Sequence, residues 1–267
     1  MIENFEFKTK YSIDDLLEIV RLLRSPEGCP WDREQTHESI KKNFIEETYE
    51  VVEAINKDSA DMLREELGDV FMQVLLHSQM EAEKGSFTFE DVVDELAQKL
   101  VIRHPHVFAS EHCETPEEVL ATWDRVKTET KNRKTITEQM NAIPKELPAL
   151  MRAQKVQAKA AKVGFDWEDI SGALEKIHSE TAEFESALHG ELPSQAFEEL
   201  GDLIFSCVNA ARFLNCDAEE ALTKATDKFM KRFTLVEQLA NQRNIDMKAA
   251  SLAQLDALWD EAKQISK

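Results

Sequence analysis

Glu65-Glu-Leu-Gly-Asp69 is written a second time in this chain, as Glu198-Glu-Leu-Gly-Asp202, an offset of 133 residues (65 to 198). Glu47-Thr-Tyr-Glu50 recurs at the same offset as Glu180-Thr-Ala-Glu183. Lys99 and Arg103 recur as Lys228 and Arg232, and Trp123-Asp-Arg-Val-Lys127 as Trp259-Asp-Glu-Ala-Lys263. Four matches in one order, with small drifts in spacing, indicate a duplicated unit whose loops have changed length. Even the approach to each copy is similar, with Cys29-Pro-Trp-Asp32 before the first and Gly164-Phe-Asp-Trp167 before the second.

The repeat divides the chain into residues 1–142 and 143–267, joined by a polar linker at about 128–148 that holds Pro144 and Pro148. Only 7 Gly and 7 Pro punctuate the sequence. Between them run long stretches rich in Ala, Leu, Glu and Lys, residues that lose little on entering a helix. The spacing predicts helices over 13–24, 38–55, 60–83, 90–101 and 116–129 in the first copy. In the second it predicts 172–188, 195–214, 218–241 and 252–263. Thr115, Pro116 and Glu118 spell a helix start, as do Asp217 and Glu220, while Pro105 should end a helix after Arg103. No convincing strand alternation appears, so the fold class is all-α: tandem helical-bundle domains.

Helical residues three or four apart share a face. Phe44, Glu47 and Val51 therefore form one row, and Glu47 interrupts it; Ile177, Glu180 and Phe184 repeat the pattern. On the next helix Leu63, Glu66 and Val70 are matched by Ala196, Glu199 and Leu203. Acidic pairs on helices usually face solvent. These interrupt apolar stripes, occur on consecutive helices and are duplicated. Carboxylates turned towards a core need a compensating charge. Oxygen donors of this kind suit Mg2+, with Mn2+ able to substitute. A di-iron bundle would want Glu-x-x-His pairs, which both copies lack. A non-enzymatic helical adaptor would leave the interrupting carboxylates unexplained.

The formal net charge of -20 disfavours a nucleic-acid partner. No apolar run approaches the ~20 residues of a membrane span, so no membrane association is expected. The first ten residues are mixed and charged, and the four cysteines form no Cys-x-x-Cys pair. Both points lead to the expectation of a cytoplasmic protein with reduced thiols. Lys228 and Arg232 share a helical face, as do Trp259 and Lys263. The cations could grip phosphate and the indole could stack on a base. Equally, the first pair reads as a surface salt-bridge row and Trp259 as the anchor of the last helix. His77, His104 and His106 have no counterparts in the second copy and read as core or loop histidines.

Glu-x-x-Glu followed on the next helix by Glu-x-x-Asp resembles the signature of the MazG family of all-α nucleoside triphosphate pyrophosphohydrolases. Here it stands as Glu46-Glu47-x-x-Glu50 with Glu66-x-x-Asp69, and as Glu180-x-x-Glu183 with Glu199-x-x-Asp202. Gly28-Cys-Pro-Trp-Asp32, Arg103-His-Pro-His-Val-Phe108 and Leu150-Met-Arg-Ala-Gln154 extend the resemblance over nearly the whole chain. It implies a homodimeric, Mg2+-dependent hydrolase that takes NTPs and dNTPs to the monophosphate and pyrophosphate. The implied role is housekeeping of the nucleotide pool or a stress response. It also implies that the C-terminal copy is catalytic, with metal ligands and catalytic groups Glu180, Glu183, Glu199 and Asp202. Nucleotide contacts would be Lys176, Lys228, Arg232, Trp259 and Lys263. Glu47, Glu50, Glu66 and Asp69 would form a second metal site. The chain departs from the pattern at Ser179, which replaces the first Glu of the doublet, and at Gln195, where relatives can carry Lys.

Overall fold

The computed structural model describes residues 5–130, 135–189 and 193–266. It is helical, with no strand among the described residues. The chain divides between Lys127 and Thr128 into two compact units.

The first unit contains α1 (Ile13–Leu23), α2 (Pro30–Glu34), α3 (His37–Asn56), α4 (Ala60–Lys84), α5 (Phe89–Arg103), α6 (Pro105–Phe108) and most of α7 (Pro116–Thr130). Helix starts are set by side chains that satisfy otherwise unpaired amides. Ser12, Thr36 and Thr88 each close a capping box, a device worth about 0.5–2 kcal/mol per helix. α3 and α4 pack along each other as a hairpin. Asp58, in the left-handed region at φ 50, makes the turn, and Ser59 caps α4. α1 and α5 pack on α4, around Val20, Ile40, Leu75, Leu76 and Met80. At the end of α1 the buried Arg24 donates to Glu83 Oε1 and Oε2, both at 2.8 Å, and to the carbonyls of Asp32 and Gln35. One side chain thereby ties α1, α2 and α4 together.

The second unit contains α8 (Ile136–Asn141), α9 (Ala149–Ala161), α10 (Ile170–Leu188), α11 (Pro193–Phe213), α12 (Ala218–Gln242) and α13 (Leu252–Ile265). α10 and α11 repeat the hairpin, α9 takes the place on α11 that α1 takes on α4, and α12 packs on α13 and α9. Val236, Leu239, Ala240, Leu258 and Ala262 form its core.

The nine expected helices are present, and so are their start signals. Thr115 Oγ1 accepts from the Glu118 amide at 3.3 Å and Asp217 Oδ1 from the Glu220 amide at 2.9 Å. α5 ends at Arg103, ahead of Pro105. Four helices were not expected: α2, α6, α8 and α9. Two of these change the domain division. The segment expected as linker carries α8, begun by a capping box between Thr135 and Glu138, and α8 packs on α9. The division therefore falls earlier than the boundary expected near Ile143. Pro148, expected to mark a loop, stands at the N-cap of α9, where its missing N–H costs no helical hydrogen bond. Among the described residues no helix is long and apolar enough to cross a membrane.

Candidate functional site

The α3–α4 hairpin brings the first acidic set together. Phe44, Glu47 and Val51 are all half-buried or nearly so, as are Leu63, Glu66 and Val70. Both glutamates therefore interrupt apolar rows. One carboxylate oxygen each from Glu47, Glu66 and Asp69 lies within 4.8 Å of the others. Glu50 is exposed, and it stands close enough to Glu47 and Glu66 to raise both carboxyls. Burial, then the charges of Asp69 and Glu50, holds the Glu47 carboxyl above the ordinary range. Burial and then Glu50 do the same to Glu66.

The α10–α11 hairpin builds the second set. Glu180 is 3% exposed, the one buried acid among the described residues. Its oxygen lies within 4.8 Å of oxygens from Glu199 and Asp202. Glu183 falls outside that three-residue set; it accepts a hydrogen bond from Ser179 Oγ at 2.7 Å. Burial raises the Glu199 carboxyl, followed by the charges of Glu183, Glu180 and Asp202. Lys176, one helical turn before Glu180, forms an ion pair with it. That hydrogen bond raises the lysine above its usual value. The spacing of four residues was legible as a pairing, yet sequence reasoning assigned Lys176 to nucleotide alone. The first copy has Asn43 at the corresponding place, so its carboxylates gain no such cation.

The remaining predicted contacts sit together on α12 and α13. Lys228 is exposed. Arg232 is half-buried and donates from Nε to Ser266 Oγ at 3.1 Å. Trp259 packs on the core of the unit and on Phe229, ring centroids 5.1 Å apart. Lys263 pairs with Asp260 at 2.9 Å. Among the described residues no hydrogen bond or ion pair joins this group to the carboxylates of α10 and α11. In the first copy the guanidinium of Arg103 lies 5.2 Å above the Trp123 ring, and His104 meets the same ring edge-on. His77 is half-buried, stacked on His37 with their Nδ1 atoms 2.6 Å apart. Burial first, then His37, lowers its pKa. His37 had given no sequence signal, because its partner lies on another helix.

Each hairpin thus gathers three carboxylates at a short distance with too little positive charge nearby. The raised carboxyls of Glu47, Glu66 and Glu199 record burial first and the mutual repulsion after it. A hard divalent cation relieves it and takes oxygen donors of this kind, so both sets fit a metal.

The MazG nucleotide pyrophosphohydrolase domain matches residues 35–108, the heart of the first copy. Similarity to whole proteins extends further. The nucleoside triphosphate pyrophosphohydrolase/pyrophosphatase MazG of Thermotoga maritima is 44% identical over 250 residues, 94% of this chain and 95% of the relative. A nucleoside triphosphate pyrophosphohydrolase of Escherichia coli K12 is 44% identical over 255 residues, 94% of this chain and 97% of the relative. One from Mycolicibacterium smegmatis is 41% identical over 150 residues, 55% of this chain and 46% of that protein.

The raised carboxyls give the metal-free protein a characteristic pH response. A carboxyl raised on folding holds its proton more tightly in the folded state, so its contribution to stability is present at low pH and lost as pH rises through the folded pKa. Glu47, Glu66 and Glu199 should therefore stabilise the chelated protein as pH falls from neutrality towards 4.5. Below that, Asp15 and Glu81, held near 2 chiefly by hydrogen bonds from Lys8 and Lys84, reverse the trend. At pH 7, Mg2+ should raise Tm, and by less in Glu180→Gln. Thermal melts with EDTA or Mg2+ read both effects. An equal Mg2+ shift in wild type and Glu180→Gln would locate the cation away from this cluster.

Proposed function

The chain belongs to the MazG family of nucleoside triphosphate pyrophosphohydrolases, hydrolases of phosphoanhydride bonds that yield the monophosphate and pyrophosphate, and we propose that its turnover runs at the second acidic cluster with Mg2+. The observation that carries this choice is the buried Glu180 with Lys176 paired to it on the same helix. The carboxylates and a cation that can face phosphate already stand side by side there.

Glu180, Glu199 and Asp202 would hold the metal. Bound there, Mg2+ would neutralise phosphate oxygens and acidify a water for in-line attack at the α-phosphorus. Glu183, outside the three-residue set and oriented by Ser179, is the carboxylate free to accept the water's proton. Lys176 would exchange its carboxylate partner for a phosphate oxygen. Lys228 and Arg232, one helical turn apart, grip the distal phosphates, with Lys263 beside them. Trp259 offers a π-face to any base, so weak base selectivity is expected; the family resemblance adds the expectation that both NTPs and dNTPs are taken. In the first copy Arg103 is engaged by Trp123 at the very end of α5, whereas α12 continues past Arg232 to Gln242. The first site's grip is weaker for that reason. The family domain matches this copy, and its three carboxylates still stand together, which supports a site that can hold metal.

We also propose a homodimer, a reading supported by apolar side chains exposed on the second unit. Phe197 is 83% exposed, and Phe229 and Met230 are 55% and 62% exposed. Large apolar side chains left this exposed are often covered by a second copy. Light scattering should give twice 30.6 kDa; a monomeric mass at micromolar concentration would refute the dimer.

With Mg2+ and ATP the products should be AMP and pyrophosphate in equal amounts, and EDTA should stop the reaction. ADP with orthophosphate would mean cleavage at the other anhydride. Glu183→Ala should abolish turnover, a loss of about 100-fold or more, while Glu50→Ala keeps most of it. A fragment beginning at Thr128, which retains α8 and α9, should remain active. Equal losses in the two point variants would show that the copies share the work.

A further inference from the structure

Two histidines join α3 to α4 at the end of the hairpin away from its turn. His37 opens α3, and His77 lies in the last third of α4. Their rings are parallel to within 7°, with centroids 5.0 Å apart but Nδ1 atoms only 2.6 Å apart. The nitrogens therefore lie between the rings and face one another. The other nitrogen of His37, Nε2, stands 2.6 Å from Glu81 Oε1. Lys84 first, and then His37, holds the Glu81 carboxyl down at about 2. Glu81 is thus an ionised acceptor throughout the range in which histidines titrate.

The protons on this chain can be counted. A carboxylate only accepts, so Nε2 of His37 carries a hydrogen. A neutral imidazole has one N–H, so a neutral His37 has a bare Nδ1, and His77 Nδ1 donates to it. When the pair gains a proton, His37 donates from Nδ1, and His77 turns a bare Nδ1 towards it with its own hydrogen on Nε2. In both states one hydrogen lies between the rings. A second added proton puts an N–H on each Nδ1. Two donors and two like charges then meet with no acceptor between them.

The surroundings do little to relieve that clash. Phe44, on α3, packs against the His77 ring with centroids 5.9 Å apart. The charged groups nearby are engaged elsewhere: Arg24 of α1 with Glu83, Lys41 of α3 with Glu38, and Asp91 of α5 with Thr88. Among the described residues no hydrogen bond or ion pair reaches either ring from α1, α2 or α5. Burial, then the charge of His37, lowers the His77 pKa, in the direction this geometry requires. We propose that the His37–His77 pair is an acid-released latch, which fastens the start of α3 to α4 while it holds at most one added proton and gives way to a second. It ties the same two helices that carry the first acidic cluster.

His77→Asn distinguishes a latch from ordinary packing. The Asn amide can donate to His37 Nδ1 or accept from it, and it does not titrate. A histidine whose folded-state pKa is depressed loses its contribution to stability as pH falls through the unfolded value of about 6.5. Thermal melts of the full chain in EDTA should therefore show wild type losing about 3 °C or more relative to His77→Asn between about pH 7.5 and about pH 5.5. Taking the difference cancels Glu47, Glu66 and Glu199, whose raised carboxyls act with the opposite sign. Wild type alone gives a second reading, should the variant not fold. NMR of histidine ring nitrogens should show one ring of the pair still neutral below the ordinary value of about 6.5. Parallel Tm profiles in the two proteins, or two rings that charge together at the ordinary value, overturn the latch.

Discussion

Like charges held together by helix packing set the terms for the rest of this protein. Two unit charges 4 Å apart repel by about 4 kcal/mol at the effective dielectric of a protein surface, and each hairpin gathers three carboxylates within 4.8 Å. The backbone cannot relax this, because Glu47 and Glu180 sit in rows whose neighbouring positions are apolar and packed. Protons, a lysine or a metal must therefore make up the difference. The first copy responds with raised carboxyls alone at Glu47 and Glu66. The second adds Lys176 against the most buried acid.

The architecture was legible where local chemistry marks an element's ends. Thr115 and Asp217 act as caps, and Pro105 terminates α5 as its ring requires. The carboxylates were legible because they break a stripe, a contrast that needs no structure to see. α9 was missed because Pro144 and Pro148 look like breakers, although a proline at a helix start breaks nothing. That miss carried the domain division with it, and α8 fell inside the supposed linker. The stacking of His37 on His77 was not readable, since the partners stand 40 residues apart on consecutive helices. Nor could periodicity tell that Trp259 rests on Phe229 and the core while its Lys and Arg neighbours stand apart from the acids.

The two copies share a scaffold and differ in a handful of side chains around it. Asn43 for Lys176 removes a cation, and Pro105 ends a helix that otherwise runs on. Trp123 is flanked by Arg103 and His104, whereas Trp259 meets Phe229. None of these alters the hairpin that carries the carboxylates. The acid pairs are thus compatible with quite different surroundings.

The corner after the first long helix of each unit shows the divergence in another form. In the first unit Arg24 occupies that corner with four hydrogen bonds; in the second the same turn stands open between Trp167 and Phe205. Substitutions at the first corner strand buried donors and acceptors and are removed by selection for folding. The second is held by the Gln157 amide, the Arg212–Asp166 pair and the seat of Trp167 on Gly172, while Phe165 stands exposed. The two units thus close the same turn by different means, charge-assisted hydrogen bonds in one and seated aromatic rings in the other, so that a single truncation at Arg24 would unfasten three helices while none in the second corner would.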